Sequence, residues 1–194
     1  MSTSQALPVL RTPDPLLALQ AARRLLALGS PLSRFRVNAE THALTPAEAR
    51  RVVAAFPDAW ISPADPGRPE SEAEVRRMIT SGDQRVAALL PAEVSMEDRP
   101  VGSIEEAFLG VVGSGPASMD WGFFTWPAVP ELDLESSTKD SYVQIALNAE
   151  DVSRDIPSAQ HTVFVHFRWG DTVRGEWLAR QAGLRPAGPA QWGW

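Results

Sequence analysis

Cysteine is absent from the 194 residues, which excludes disulfide frameworks and every zinc or iron–sulfur centre built on thiolates. Lysine is nearly absent as well. Of 18 basic residues only Lys139 is a lysine, a skew that matches the codon usage of a GC-rich bacterial genome better than any binding chemistry. Long apolar runs are missing too: LLALQAARRLLALG is interrupted by Arg23 and Arg24, so it reads as an amphipathic helix and not as a membrane span. The opening MSTSQALPVL carries no early positive charge, and only LLALG follows the arginine pair before Ser30 and Pro31. That is too short for the apolar core of a secretion signal, and a cytoplasmic chain is expected.

Catalytic signatures are equally scarce. The chain contains no GxSxG elbow, HExxH pair, P-loop or EF-hand spacing. The glycines of GVVGSGPA, residues 110–117, lack the spacing and the preceding strand of a dinucleotide fingerprint, so they read as a plain loop. His161 and His166 differ by an odd number of positions, which aims them at opposite faces of a flat strand and prevents shared ligation of one metal. No cofactor and no metal are expected.

What is present is enough for one packed core. A chain of this length buries about 70% of its unfolded surface, and 44% hydrophobic with 22% charged residues is ordinary globular usage. The formal charge of −6 is unevenly spread: residues 1–100 hold 12 basic and 12 acidic groups, residues 101–194 hold 6 and 12. Residues 120–155 alone carry eight carboxylates against Lys139 and Arg154. Such a segment repels nucleic acid and anionic lipid, so neither is expected as a partner.

Helix signals dominate the first half. Asp14-Pro15 opens a leucine-rich segment stopped near Gly29, and Thr45-Pro-Ala-Glu48 and Ser71-Glu-Ala-Glu74 have the form of capping boxes. Ser103-Ile-Glu-Glu106 reads as another helix start. Residues 57–69, rich in proline and aspartate, read as a surface loop. The second half shifts to a period of two: SYVQIALN (141–148) and HTVFVHFRW (161–169) predict strands, and residues 172–183 are ambiguous between strand and helix. Helices first and strands afterwards predict an α+β fold, with N-terminal helices packed on a mainly antiparallel sheet formed by the C-terminal half. The predicted organisation is a flexible segment over 1–13 and a single domain over 14–194. Within that domain the helical part covers 14–112, the strand-rich part 119–183 and a tryptophan-containing tail 184–194.

The stretch WGFFTWPAVPELDLE (121–135) concentrates the candidate chemistry. If residues 131–135 are extended, Glu131, Asp133 and Glu135 share a face with neighbours ~7 Å apart, as a charged docking strip or hard-cation site would require. The spacing of a dedicated calcium loop is missing. Seven tryptophans exceed what such a core needs, and Trp121, Trp126, Trp192 and Trp194 lie beside acidic or terminal segments, where indoles commonly anchor interfaces. With Tyr142 these residues predict an acidic, aromatic binding face for a basic protein partner or for self-association. The expectation is a non-catalytic binding module, an immunity-type or adaptor protein. The alternatives are a hydrolase or transferase using His166, Arg168 and Asp140 on one sheet face, and a carbohydrate or small-ligand module in which Trp121, Phe123 and Trp126 stack on the ligand.

Overall fold

Helix starts follow the chemistry of their caps. In the computed structural model, which describes residues 4–63, 65, 67 and 69–193, helix α1 spans Pro15–Leu26. The Asp14 carboxylate accepts from the amides of Leu16 and Leu17, relieving two of the amides every helix N-terminus leaves unbonded. Helices α2 (Pro46–Ala55) and α3 (Glu72–Ser81) start with the two reciprocal capping boxes, Thr45 with Glu48 and Ser71 with Glu74. Helix α3 stops on Gly82, whose φ of 73° suits a residue without a Cβ. Helix α4 (Glu105–Val111) does not use the predicted Ser103 cap. Instead the Glu105 carboxylate turns back to accept from the amides of Gly102 and Ile104. Helix α5 (Thr172–Gln181) settles the ambiguous segment as helix.

The strands are β1 (Ser4–Thr12), β2 (Ser30–Ala43), β3 (Trp60–Pro63), β4 (Ala92–Pro100), β5 (Ala117–Thr125), β6 (Tyr142–Leu147), β7 (His161–Arg168) and β8 (Gln191–Trp192). They form one sheet in the order β3-β4-β2-β5-β6-β7-β1-β8, antiparallel at every junction. The mixed, antiparallel character agrees with expectation, but the arrangement does not: strands occur throughout, with β2 and β4 in the part expected to be helical and β3 inside 57–69, expected to be a surface loop, where pairing of Trp60–Pro63 with β4 makes it an edge strand. Ser4–Thr12, read as part of a flexible segment, is a strand between β7 and β8. Pro8 weakened that signal, since proline cannot donate to a ladder. The strand absorbs it with a register shift between Pro8 and Leu10, and the Pro8 carbonyl accepts from the amide of Ala187.

Alternation along each strand sorts the two faces. Leu7, Val37, Ile61, Val94, Met119, Trp121, Ile145, Val165 and Phe167 point toward the helices and pack with Leu19, Val52, Val75, Phe108 and Leu178, one from each of α1 to α5. Each such side chain contributes roughly 1.5–3 kcal/mol by leaving water. The opposite face is covered only in part. Residues 148–158 fold over Ala6, Ala146, Ala149, Val152 and Phe164 as a second, small apolar cluster, which leaves the strip formed by β5, β2, β4 and β3 open.

The C-terminal tail docks on its own sheet. β8 pairs with β1, Gly193 donates its amide to the Ser4 carbonyl, and the Gln191 side chain accepts from the Val152 amide. Trp192 stays largely exposed, its ring parallel to that of Trp169 with centroids 6.5 Å apart. Trp194 lies outside the described residues.

Candidate functional site

Three strands with strict polar alternation build the open strip. β2 places Asn38, Glu40 and His42 outward, β4 places Glu93, Ser95 and Glu97, and β5 places Ser118 and Asp120. The register sets Asn38 opposite Asp120, and Glu40 between Ser118 and Ser95. Two concavities result. One of about 340 Å³ is lined by Asn38, Glu40, Ser95, Glu97, Asp98, Asp120 and Phe123. The other, of about 500 Å³, is lined by Asp58, Trp60, Glu93, Ser95, Glu97 and Arg99. They share Ser95 and Glu97, so the strip is one shallow groove.

Its geometry is held by a register shift between Val37 and Ala39 on β2, opposite Asp98 with φ 53°. Asn38 locks this bulge from both ends of its amide: Oδ1 accepts from the Asp98 backbone at 2.9 Å, and Nδ2 donates to Asp120 Oδ1 at 3.0 Å. Burial raises the Asp120 carboxyl to about 6, against opposition from the Asn38 hydrogen bond and the charge of Arg154, and with added repulsion from Glu40 and Glu97. Glu40 is paired with Arg154 at 2.9 Å and faces His42 at 3.6 Å. Among the described residues Glu93, Glu97, Asp98 and Asp120 form no ion pair.

Phe123 stands at the rim, 45% exposed and with φ of 62°. A bulky residue in the left-handed region is a conformational outlier costing of order 1–3 kcal/mol. Its neighbours are fixed by packing: Gly122 lies under the Tyr142 ring, where a Cβ would come within 2.8 Å, and Phe124 is in the core. Trp60, 46% exposed, marks the other end. An exposed phenyl ring in strained backbone beside a largely buried carboxylate is a feature the core does not require.

The predicted residues are distributed differently. Trp121 and Trp126 are core residues at 1% and 0% exposure. Trp121 Nε1 donates to Glu105 and Trp126 Nε1 to the His166 carbonyl. Burial removes both rings from any docking or sugar-stacking surface and leaves Phe123 alone of that trio. Glu131, Asp133 and Glu135 are exposed but do not share a strand face. Pro130–Leu132 is a 3-10 turn, Asp133 has φ 55°, and Val129 bridges Leu134, so the segment is a tight loop. Tyr142 lines the sheet face next to His166, their rings edge to face at 6.2 Å.

His166 and Arg168 do not converge. His166 is fully buried with Nε2 3.1 Å from Gln144 Oε1, and burial pushes its pKa down to about 3. The imidazole is therefore neutral across the physiological range, while Arg168 is exposed at the strand end and Asp140 lies in the turn before β6. The residues that sequence reading passed over, Asn38, Glu40, Glu93 and Glu97, carried a usable signal: VNAETHA and AEVSME alternate apolar and polar as cleanly as the strands that were found.

Asp120 and His166, two of the groups with displaced titrations, oppose each other. Asp120 has its pKa raised from 3.8 to about 6, so the folded state holds its proton more tightly and the charge costs stability above pH 6. That cost fades as pH falls toward 4. His166 has its pKa lowered from 6.5 to about 3, so its stabilising share is complete above pH 6.5 and is lost as pH falls through that window. Each unit corresponds to roughly 1.4 kcal/mol at most. Asp120→Asn should therefore raise stability at pH 7 by about 1–3 kcal/mol and leave it unchanged at pH 4. Urea titrations of both chains at the two pH values check this, and an equal difference at both removes Asp120 as the cause.

Comparison with known protein families, with curated proteins and with solved structures finds no match to this chain.

Proposed function

We propose that this protein is a non-catalytic, cytoplasmic binding module, of immunity or adaptor type, whose open sheet face receives a basic protein partner. The supporting observation is the pairing of Asp120 with Phe123: a carboxylate held at a cost in charge burial, beside an exposed ring held at a cost in backbone strain. Features that cost stability without serving the core collect where function needs them. Around them Glu40, Glu93, Glu97 and Asp98 make a field that attracts cations and speeds encounter, while Phe123 and Trp60 offer apolar area for affinity. A sheet face of this kind, shallow and without a deep enclosed pocket, suits a protein surface better than a small substrate. No helix among the described residues is long and apolar enough to cross a membrane.

The test uses the wild-type chain as bait and then measures rates with the recovered partner in purified form. The triple change Glu97→Gln, Asp120→Asn, Phe123→Gly should weaken binding by about 100-fold or more, which corresponds to roughly 2.7 kcal/mol. Rising salt should slow association. Changing the loop carboxylates Glu131, Asp133 and Glu135 to amides should leave affinity within about twofold, since that loop lies outside the groove. If the open-face triple variant binds as the wild type does, this face is not the docking surface.

A further inference from the structure

Besides Arg99, which is paired with Asp58 at one end, the groove receives a second cation from outside its own strands. Arg154 reaches from the segment 148–158 onto the open face, where Nη1 donates to Glu40 Oε1 at 2.9 Å and to Ser118 Oγ at 3.1 Å. Its charge also acts on the neighbouring Asp120. Nothing in the packing of the segment itself calls for this reach. Val152 is the residue that anchors it: its side chain belongs to the small apolar cluster, its carbonyl accepts from Gln144 Nε2, and its amide donates to Gln191 Oε1. The Asp151 carboxylate closes the turn by accepting from the amides of Asp155 and Ile156. Arg154, at the crown of that turn, has φ of 67°, a conformation that glycine or asparagine adopts at lower cost than arginine. The turn thus holds a strained arginine where a smaller residue fits better, and the arginine's guanidinium lies on the end of the acidic groove.

We infer that Arg154 is an autoinhibitory stand-in for a partner's arginine, occupying the Glu40–Ser118 end of the groove until a partner guanidinium displaces it. The inference rests on the proposed docking role of this face and identifies the chemistry recognised there. The seated group is a guanidinium: its Nη1 alone donates to both the carboxylate and the hydroxyl, and its weakly hydrated charge suits a partly buried pair better than a lysine ammonium does. Displacement is feasible because the pair is partly solvated, with about a fifth of the Arg154 side chain and a third of that of Glu40 exposed, and pairs of that kind are individually weak. It also couples the tail to the groove: Gln191 on β8 holds Val152, and Val152 fixes the turn that presents Arg154.

The probe is a pentapeptide of alternating arginine and glycine, titrated calorimetrically at low salt into the full chain. Arg154→Gly, which suits the left-handed turn, should bind it about tenfold more tightly than the wild type. Arg154→Asn, which also tolerates that backbone, should do the same if the glycine variant folds poorly. Gln191→Ala, outside the groove, should tighten binding by a smaller factor through release of the turn. Adding Glu40→Gln to the Arg154→Gly chain should abolish the gain, since the freed seat is the Glu40–Ser118 end. Equal affinity for wild type and both Arg154 variants, lost on neutralising Asp120 and Glu97, overturns the stand-in while leaving the docking face intact. Binding by none of the chains overturns both.

Discussion

Glu105→Ala, on the helix-covered face of the sheet, should lower the melting temperature by about 6–12 °C. Glu105 is buried, yet its two carboxylate oxygens accept from three donors: the amide of Gly102 at 2.7 Å, the amide of Ile104 at 3.1 Å and Trp121 Nε1 at 3.2 Å. Alanine leaves the Ile104 amide and the buried indole without acceptors, at about 1–3 kcal/mol each. Water can replace the bond to the exposed Gly102 amide, and relief of the buried charge offsets part of the loss. A net cost of about 3 kcal/mol, at 2–4 °C per kcal/mol for a domain of this size, gives that interval. Glu105→Gln keeps the shape and one acceptor oxygen, so it should lose about half as much. A calorimetric melt within about 1 °C of wild type for the alanine variant refutes the bonding role assigned to Glu105.

Arg174→Ala should destabilise by a similar or larger amount, about 3–5 kcal/mol, and in a recognisable place. The buried guanidinium donates to Asp171 Oδ2 at 2.6 Å, to the Pro127 carbonyl at 2.7 Å and to the Glu135 carbonyl at 2.5 Å. It fastens the acidic loop to α5 at both of the loop's ends. That loop is otherwise closed by the reciprocal amide and carbonyl bonds of Trp126 with Ser137 and by the Val129–Leu134 pair. Losing the arginine strands two carbonyls and a carboxylate, so hydrogen exchange at Val129, Leu132 and Leu134 should accelerate well beyond that of β6 and β7. Uniform acceleration across the molecule, or none, would show that Arg174 does not hold this loop.

The sequence carried the local structure wherever one residue's chemistry suffices. Asp14, Thr45 and Ser71 announced three helix starts because an N-cap needs only a side-chain oxygen within three residues, and all three act as read. The alternations over 142–147 and 161–168 located β6 and β7 for the same reason. Ser4–Thr12, by contrast, carries a proline that cannot donate to a ladder, and pairing with β7 and β8 and the bond from the Ala187 amide make that segment a strand. Between residues 30 and 100 the alternation is present in VNAETHA and AEVSME, but the capping boxes on either side carry the stronger local signal.

The site was legible as composition and not as place. An excess of carboxylate and tryptophan pointed to an acidic, aromatic face, and Asp120 lies in the segment that carries the excess. Which side chains form that face depends on pairing across the sheet. Register sets Asn38 beside Asp120 although 82 residues separate them, and the loop between β6 and β7 carries Arg154 onto Glu40 across 114. The same pairing turned Trp121 and Trp126 inward and folded Glu131, Asp133 and Glu135 into a loop. Caps and alternation act within a few residues, so the sequence by itself determined helix starts, strand faces and net charge. The neighbours of each strand are chosen by burial of the whole apolar face, a long-range competition that only the tertiary structure decides.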